Sequence, residues 1–157
     1  MAQIMQKNTL IVPALGAIYD SLKDYTYPIL RITMGLVFAP HGAQKLFGWF
    51  GGRTVEQYVE LFSRMGSWST SSAWVYYIGC LELFGGLLMA AGFLTRVWAV
   101  QFVGFMTIAT LIANAPRGWF WTAGGSEAPL VWGFVCLYIL IQGGGKWSVD
   151  RALGREF

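Results

Sequence analysis

The chain is short of charge. Of its 157 residues only 12% are Asp, Glu, Lys or Arg, against 55% hydrophobic. A water-facing domain carries about 25% charged residues. Half that supply does not cover a soluble surface, which argues against a soluble enzyme. Cysteine is scarce as well. Cys80 and Cys136 stand far apart and form no C-x-x-C, so neither a disulfide framework nor a zinc site is expected. The single histidine, His41, excludes bis-histidine haem ligation. H-E-x-x-H and clustered ligands are missing, so no metal is expected. Gly145-Lys146-Trp147 lacks the glycine spacing and the Ser/Thr of a phosphate-binding loop. The net charge of +3 is too small and too scattered for a nucleic-acid groove, and no nucleic acid is expected as a partner. A cleavable leader is not expected either. Leu10 to Tyr19 is short, is broken by Pro13, and leads into no small-x-small site.

What the chain has is apolar length. Mean hydropathy is +0.50 and aromatics reach 17%, which excludes disorder. A bilayer core of ~30 Å needs about 20 helical residues. Pro28 to Gly48, Ala73 to Phe93 and Thr95 to Asn114 offer that, and Pro129 to Gln142 is a shorter fourth. In hydrocarbon a helix satisfies its own backbone, so helix is expected over strand. The expected fold is all-α: a polytopic membrane protein, a four-transmembrane-helix bundle with interfacial amphipathic helices. Residues 1–27 form an N-terminal interfacial segment, 28–150 the membrane domain and 151–157 a C-terminal tail.

Loop charge sets the orientation. Lys7, Lys23, Arg96, Lys146, Arg151 and Arg155 fall on the side of both termini. Arg53, Arg64 and Arg117 fall opposite, with Lys45 near a span end. This places both termini in the cytoplasm of a cell bounded by an inner (plasma) membrane. Leu15, Ile18, Tyr19 and Leu22 recur at helical spacing beside Asp20, Lys23 and Asp24, the pattern of a helix lying on the interface. Thr54 and Gln57 resemble a capping box, followed by an apolar face of Val55, Tyr58, Val59 and Phe62. Such a helix is a lid packed on the bundle or a gate over a lateral opening. Trp49, Trp68, Trp74, Trp119 and Trp121 fall near the outer boundary, as an aromatic belt does.

Ionisable residues inside the spans are the candidate site. Each costs a few kcal/mol or more unless it finds a partner or a cavity. Arg31, Gly35, Phe38, Gly42 and Lys45 share one helix face, with His41 beside it. Pro40 frees a carbonyl one turn earlier and predicts a kink next to His41. Helix rise puts His41 ~10 Å and Glu82 ~13 Å below the outer surface. Gly79, Gly86 and Ala90 give Glu82 a small-residue face for close helix approach. A His41–Glu82 contact, direct or through one water, is expected, with Lys45 one turn outward. The group is then either a proton relay and headgroup site or a pair that merely fixes packing. Arg31 and Arg96 belong near the cytoplasmic boundary, where snorkelling to lipid phosphate is the simpler reading. Cys80 and Cys136 lie at similar depth, as inert packing thiols or, less simply, a redox pair.

Several motifs then resemble the DoxX family of small bacterial and archaeal membrane proteins. The first span carries Arg31, Gly35 and His41-Gly42-Ala43-Gln44-Lys45-Leu46-Phe47-Gly48, then Trp49-Phe50-Gly51-Gly52. The next spans carry Glu82, Gly85-Gly86 and Gly92-Phe93-Leu94-Thr95-Arg96. The last loop carries Gly124-Gly125-Ser126-Glu127-Ala128-Pro129-Leu130, and the tail Gly143-Gly144-Gly145-Lys146-Trp147-Ser148-Val149-Asp150. The Ser-Glu-Ala stretch departs from the aromatic-flanked version. The resemblance covers about residues 28–150 and implies a four-helix bundle. It further implies quinone-linked redox chemistry: some relatives are membrane subunits of thiosulfate:quinone oxidoreductase, and others associate with redox-detoxifying proteins. Carried over by position, its candidate residues are Arg31, His41, Lys45, Glu82, Arg96 and Glu127.

Together these readings predict an integral membrane subunit of a quinone-linked oxidoreductase system. A quinone-like lipid would bind between the first two spans, with His41, Lys45 and Glu82 doing the chemistry. Membrane lipid and either other subunits of a redox complex or further copies of the chain are the expected partners. The alternative is a structural or anchoring subunit without chemistry. A small-solute transporter fits less well, since inverted repeats are not evident.

Overall fold

A computed structural model describes residues 10–64 and 71–156, and all regular structure among them is helical. Lys7 and Trp68, used above for orientation and for the aromatic belt, lie outside the described residues.

Helix α1, Leu15–Phe47, is 33 residues long and runs through both Pro28 and Pro40. At 1.5 Å per residue that is about 50 Å, well beyond a ~30 Å hydrocarbon core. The amphipathic stretch expected as a separate interfacial helix is therefore the first turns of α1. Gly48 ends it in the left-handed conformation (φ 68°), its N–H donating back to the Gln44 carbonyl. Helix α2, Val55–Arg64, starts on the predicted capping box: the Thr54 N–H donates to Gln57 Oε1 at 3.0 Å and the Gln57 N–H to Thr54 Oγ1 at 3.4 Å.

Helices α3, Ser72–Ala91, and α4, Thr95–Ala113, are the two described helices long and apolar enough to cross a membrane. Each contains one widened π turn, Leu81–Gly85 in α3 and Ala109–Ala113 in α4. Helix α5, Glu127–Gln142, is apolar but shorter. A single turn, α6 (Val149–Ala152), closes the tail.

Helix α1 packs along α3, α4 packs along α5, and α1 meets α5 more lightly. Small residues draw α1 and α3 together. A Cβ at Gly35 would land on the Gly86 carbonyl oxygen, and one at Gly42 on the Leu83 amide. Between the helices lies one apolar core that includes Met34, Phe38, Leu81, Met89, Phe102, Met106, Cys136 and Ile139. Phe38 and Phe102 stack at 4.0 Å.

The tail seals one end of the bundle. Asp150 is buried, and its carboxylate accepts from the Leu94 N–H (2.7 Å), the Thr95 N–H (2.9 Å) and Thr95 Oγ1 (2.7 Å). A carboxylate at a helix N-terminus satisfies donors the helix cannot. The Asp150 N–H donates in turn to the Gly92 carbonyl. Tyr27 donates its hydroxyl to the Gly143 carbonyl, and Lys146 pairs with Asp24 at 2.7 Å.

Candidate functional site

Glu82 sits in the π turn of α3 and is buried, with 6% of its side chain exposed. Its partner is Lys45, whose Nζ lies 2.6 Å from Oε2 and whose side chain is 12% exposed. Nζ also reaches the His41 carbonyl at 3.4 Å and lies 5.8 Å from the Tyr58 ring centroid. Tyr58 is the buried residue of α2, so that helix lays an aromatic ring over the ammonium. In a site this dry, acid and base hold each other because neither keeps its charge cheaply alone.

The expected His41–Glu82 contact is not the one that forms. His41 is exposed, and its ring packs 5.6 Å from that of Trp132 on α5. Helix phase explains the exchange. Gly42 marks the line of closest approach to α3. Lys45 lies about 60° from that line and His41 about 100° at 3.6 residues per turn. The long lysine arm closes the smaller angle; the imidazole faces the α1/α5 seam instead. Trp132 in turn stands edge-on to Phe38 at 5.7 Å, which ties the seam to the core.

Arg31 does not snorkel. It is fully buried and donates through Nη2 to the Trp147 carbonyl at 2.9 Å. Its Nη1 lies against Gly92 (φ 73°), where any Cβ would collide with it. Its Nε and Nη1 have no hydrogen-bond partner among the described residues. Arg96 donates to the Leu140 (3.1 Å) and Ile141 (3.3 Å) carbonyls, and its Nη2 lies 3.7 Å from Glu156. It caps the C-terminus of α5, where a cation is favoured. Glu127 accepts from the Trp121 N–H at 3.0 Å and fixes its own loop. The six candidates thus divide. Lys45 and Glu82 meet, His41 stands one turn away facing another helix, and Arg31, Arg96 and Glu127 stabilise ends and loops. Cys136 is in the core and Cys80 is exposed; both are free thiols.

Sequence reasoning missed Trp132, the place of Tyr58 over Lys45 and the capping role of Asp150. Tyr58 was visible as part of the apolar face of α2. Trp132 carried no signal in an α5 that is apolar all round.

The DoxX family model matches residues 27–115, more than half of the chain. The chain belongs to the DoxX family. Among its relatives is a Mycobacterium tuberculosis protein named only as an uncharacterized membrane protein. It is 30% identical over 142 residues, covering 81% of this chain and 80% of the relative. The inner membrane protein YqjF of Escherichia coli is 28% identical over 138 residues, covering 87% and 98%. No solved structure matches. This DoxX chain is therefore a membrane protein, and Lys45, Glu82 and His41 all lie within its family-matched region.

Proposed function

We propose that this DoxX protein is a four-span subunit of a quinone-linked redox system in the plasma membrane, with both termini in the cytoplasm. On this reading α1, α3, α4 and α5 cross the bilayer, and a quinone-like lipid enters at the α1/α5 seam instead of between the first two spans, where Lys45 and Glu82 close on each other. The observation that carries it is the pairing of a dry Lys45–Glu82 couple with an exposed imidazole one turn away.

The residues fit such a headgroup. His41 offers a ring N–H to a carbonyl oxygen, and the Trp132 indole supplies a flat apolar wall beside it. A bound quinone would supply two-electron, two-proton chemistry inside the bilayer, with electrons from a partner protein. His41 would hold and orient the headgroup oxygen and, when doubly protonated, would hand it one proton and return to the neutral imidazole. Lys45 and Glu82 behind it hold a further proton away from lipid and water, and α2 covers them. Arg31, Arg96 and Glu127 keep the helix ends in place and do not touch the headgroup.

Extraction of the purified protein with organic solvent tests this directly. The wild type should release quinone in near-stoichiometric amount, and His41→Ala should release at least about tenfold less. Glu82→Gln should retain quinone while lowering quinone-dependent turnover of the assembled complex. Equal, trace quinone in wild type and His41→Ala overturns the proposal. A second reading, an anchoring subunit without chemistry, is favoured by the closed geometry of the Lys45–Glu82 pair. It predicts unchanged turnover in Glu82→Gln wherever the complex still assembles.

A further inference from the structure

The Lys45–Glu82 pair has two walls of different kinds. Toward the bundle, α1 and α3 meet backbone to backbone. A Cβ on Gly42 would stand 2.3 Å from the Leu83 amide and 2.6 Å from the Gly79 carbonyl oxygen, and one on Gly79 would strike Leu46 and touch the Lys45 side chain. Glycine contacts this close leave no passage for water. The other wall is α2. Of its ten residues only Tyr58 is buried, and it is the Tyr58 ring that faces Lys45 Nζ. Val55, Val59 and Phe62 are half-buried beside it, while Glu56, Gln57, Glu60 and Arg64 are exposed. Lys45 itself lies in the last turn of α1, where the chain leaves for α2.

The connection between α1 and α2 has the features of a hinge. Gly48, Phe50 and Gly51 hold left-handed backbone, at φ 68°, 55° and 72°. A Cβ at Gly48 or Gly51 would meet nothing within 4 Å, so packing does not hold the segment. Phe50 is 70% exposed and lacks the freedom of glycine, so its backbone is strained in this arrangement. Gly52 is the stop, because it lies against the Gln44 carbonyl of α1. Lifting α2 would expose Tyr58 and its half-buried neighbours, which opposes opening. It would also return an ammonium and a carboxylate to water and relax Phe50, which favours opening. These opposed effects bring the covered and open arrangements close in free energy, as expected of a segment with little buried surface.

We propose that α2 is a hinged cover: it swings on residues 48–51, carries Tyr58 off Lys45, and opens the Lys45–Glu82 pair to water for proton exchange. In the covered arrangement the pair keeps its proton; in the open one it trades that proton with water. The cover rests on the geometry of the pair and stands without the quinone reading.

Carboxyl labelling of the purified full chain tests it. A water-soluble carbodiimide with glycine ethyl ester converts each accessible carboxyl to an amide, and peptide masses give the rate at each site. Glu56, exposed on α2, is the reference. In the wild type Glu82 should label at least about tenfold more slowly than Glu56. Tyr58→Ala removes the ring and should speed Glu82 at least about fivefold. Gly51→Val adds its Cβ in open space yet disfavours the left-handed turn, and should speed Glu82 as well. Phe50→Asn suits that turn and should slow Glu82 at least about twofold. Cys136, in the core, should stay unreactive to a maleimide in every variant. Glu82 labelling as fast as Glu56 in the wild type overturns the proposal. So does a Glu82 rate unmoved by Gly51→Val and Phe50→Asn, and so does a Cys136 rate that rises with that of Glu82.

Discussion

Removing either partner of the Lys45–Glu82 pair leaves the other ionisable group in a largely buried site. Lys45→Met should therefore cost about 3–5 kcal/mol. The double change Lys45→Met with Glu82→Leu should cost much less, because no buried charge is left over. Thermal unfolding in detergent separates the two, and equal melting temperatures would deny that the pair is buried as described. Asp150 carries a different load, since it replaces the hydrogen bonds that the first turn of α4 lacks. Asp150→Ala should cost about 1–2 kcal/mol at that cap and expose the tail to faster proteolysis. At this scale the burial of Glu82 could be read from the chain, because an ionisable residue in an apolar helix must find a partner or a cavity. Its partner could not. Choosing Lys45 over His41 depends on a helix rotation of about 40° and on side-chain reach.

Among the elements, α1 and α3 approach through glycines, and this closeness brings Lys45 to Glu82. Gly35→Val should wedge the helices apart against the Gly86 carbonyl and lower the melting temperature by several degrees. Gly104 in α4 meets nothing within 4 Å of an added Cβ, so Gly104→Ala should leave stability unchanged or slightly raised. Parallel melts of the two variants distinguish a packing glycine from an incidental one. The helices themselves were legible: apolar length gave α3, α4 and α5, and Thr54 with Gln57 announced α2. The continuity of α1 through Tyr27 and Pro28 was not, because a change from amphipathic to apolar composition resembles a boundary. Pro28 is buried inside α1 and leaves the Asp24 carbonyl without its helical donor, yet the helix runs on past it.

For the whole molecule, the proposed four-span topology places the loop carrying α2 outside and the tail inside. Ser63→Cys should react with an impermeant maleimide in intact cells, and Arg155→Cys only after permeabilisation; the reverse pattern would invert the protein. The tail also responds to pH through Asp24. Its hydrogen bond and charge attraction to Lys146 hold the carboxyl below its ordinary value of 3.8. A carboxyl lowered on folding stabilises the folded state above its ordinary value, and that contribution is lost as pH falls through the lowered one. Docking of the tail should therefore be insensitive between pH 6 and 8, taken as roughly neutral conditions, and loosen below about pH 4. Asp24→Asn should reduce the acid-dependent part without removing it, as read by tail proteolysis across pH, because Asp150 and Glu156 also tie the tail down.

Composition and order of residues were enough to specify helices, a membrane setting and a buried acid on the second apolar stretch. These follow from one-dimensional quantities: apolar length, charge count and rise per residue. Tertiary structure alone decided that the acid meets Lys45, that His41 faces Trp132, and that Arg31 turns inward under the tail. Those outcomes depend on the rotation of each helix about its axis and on which backbone its glycines touch, and neither is a property of any one segment.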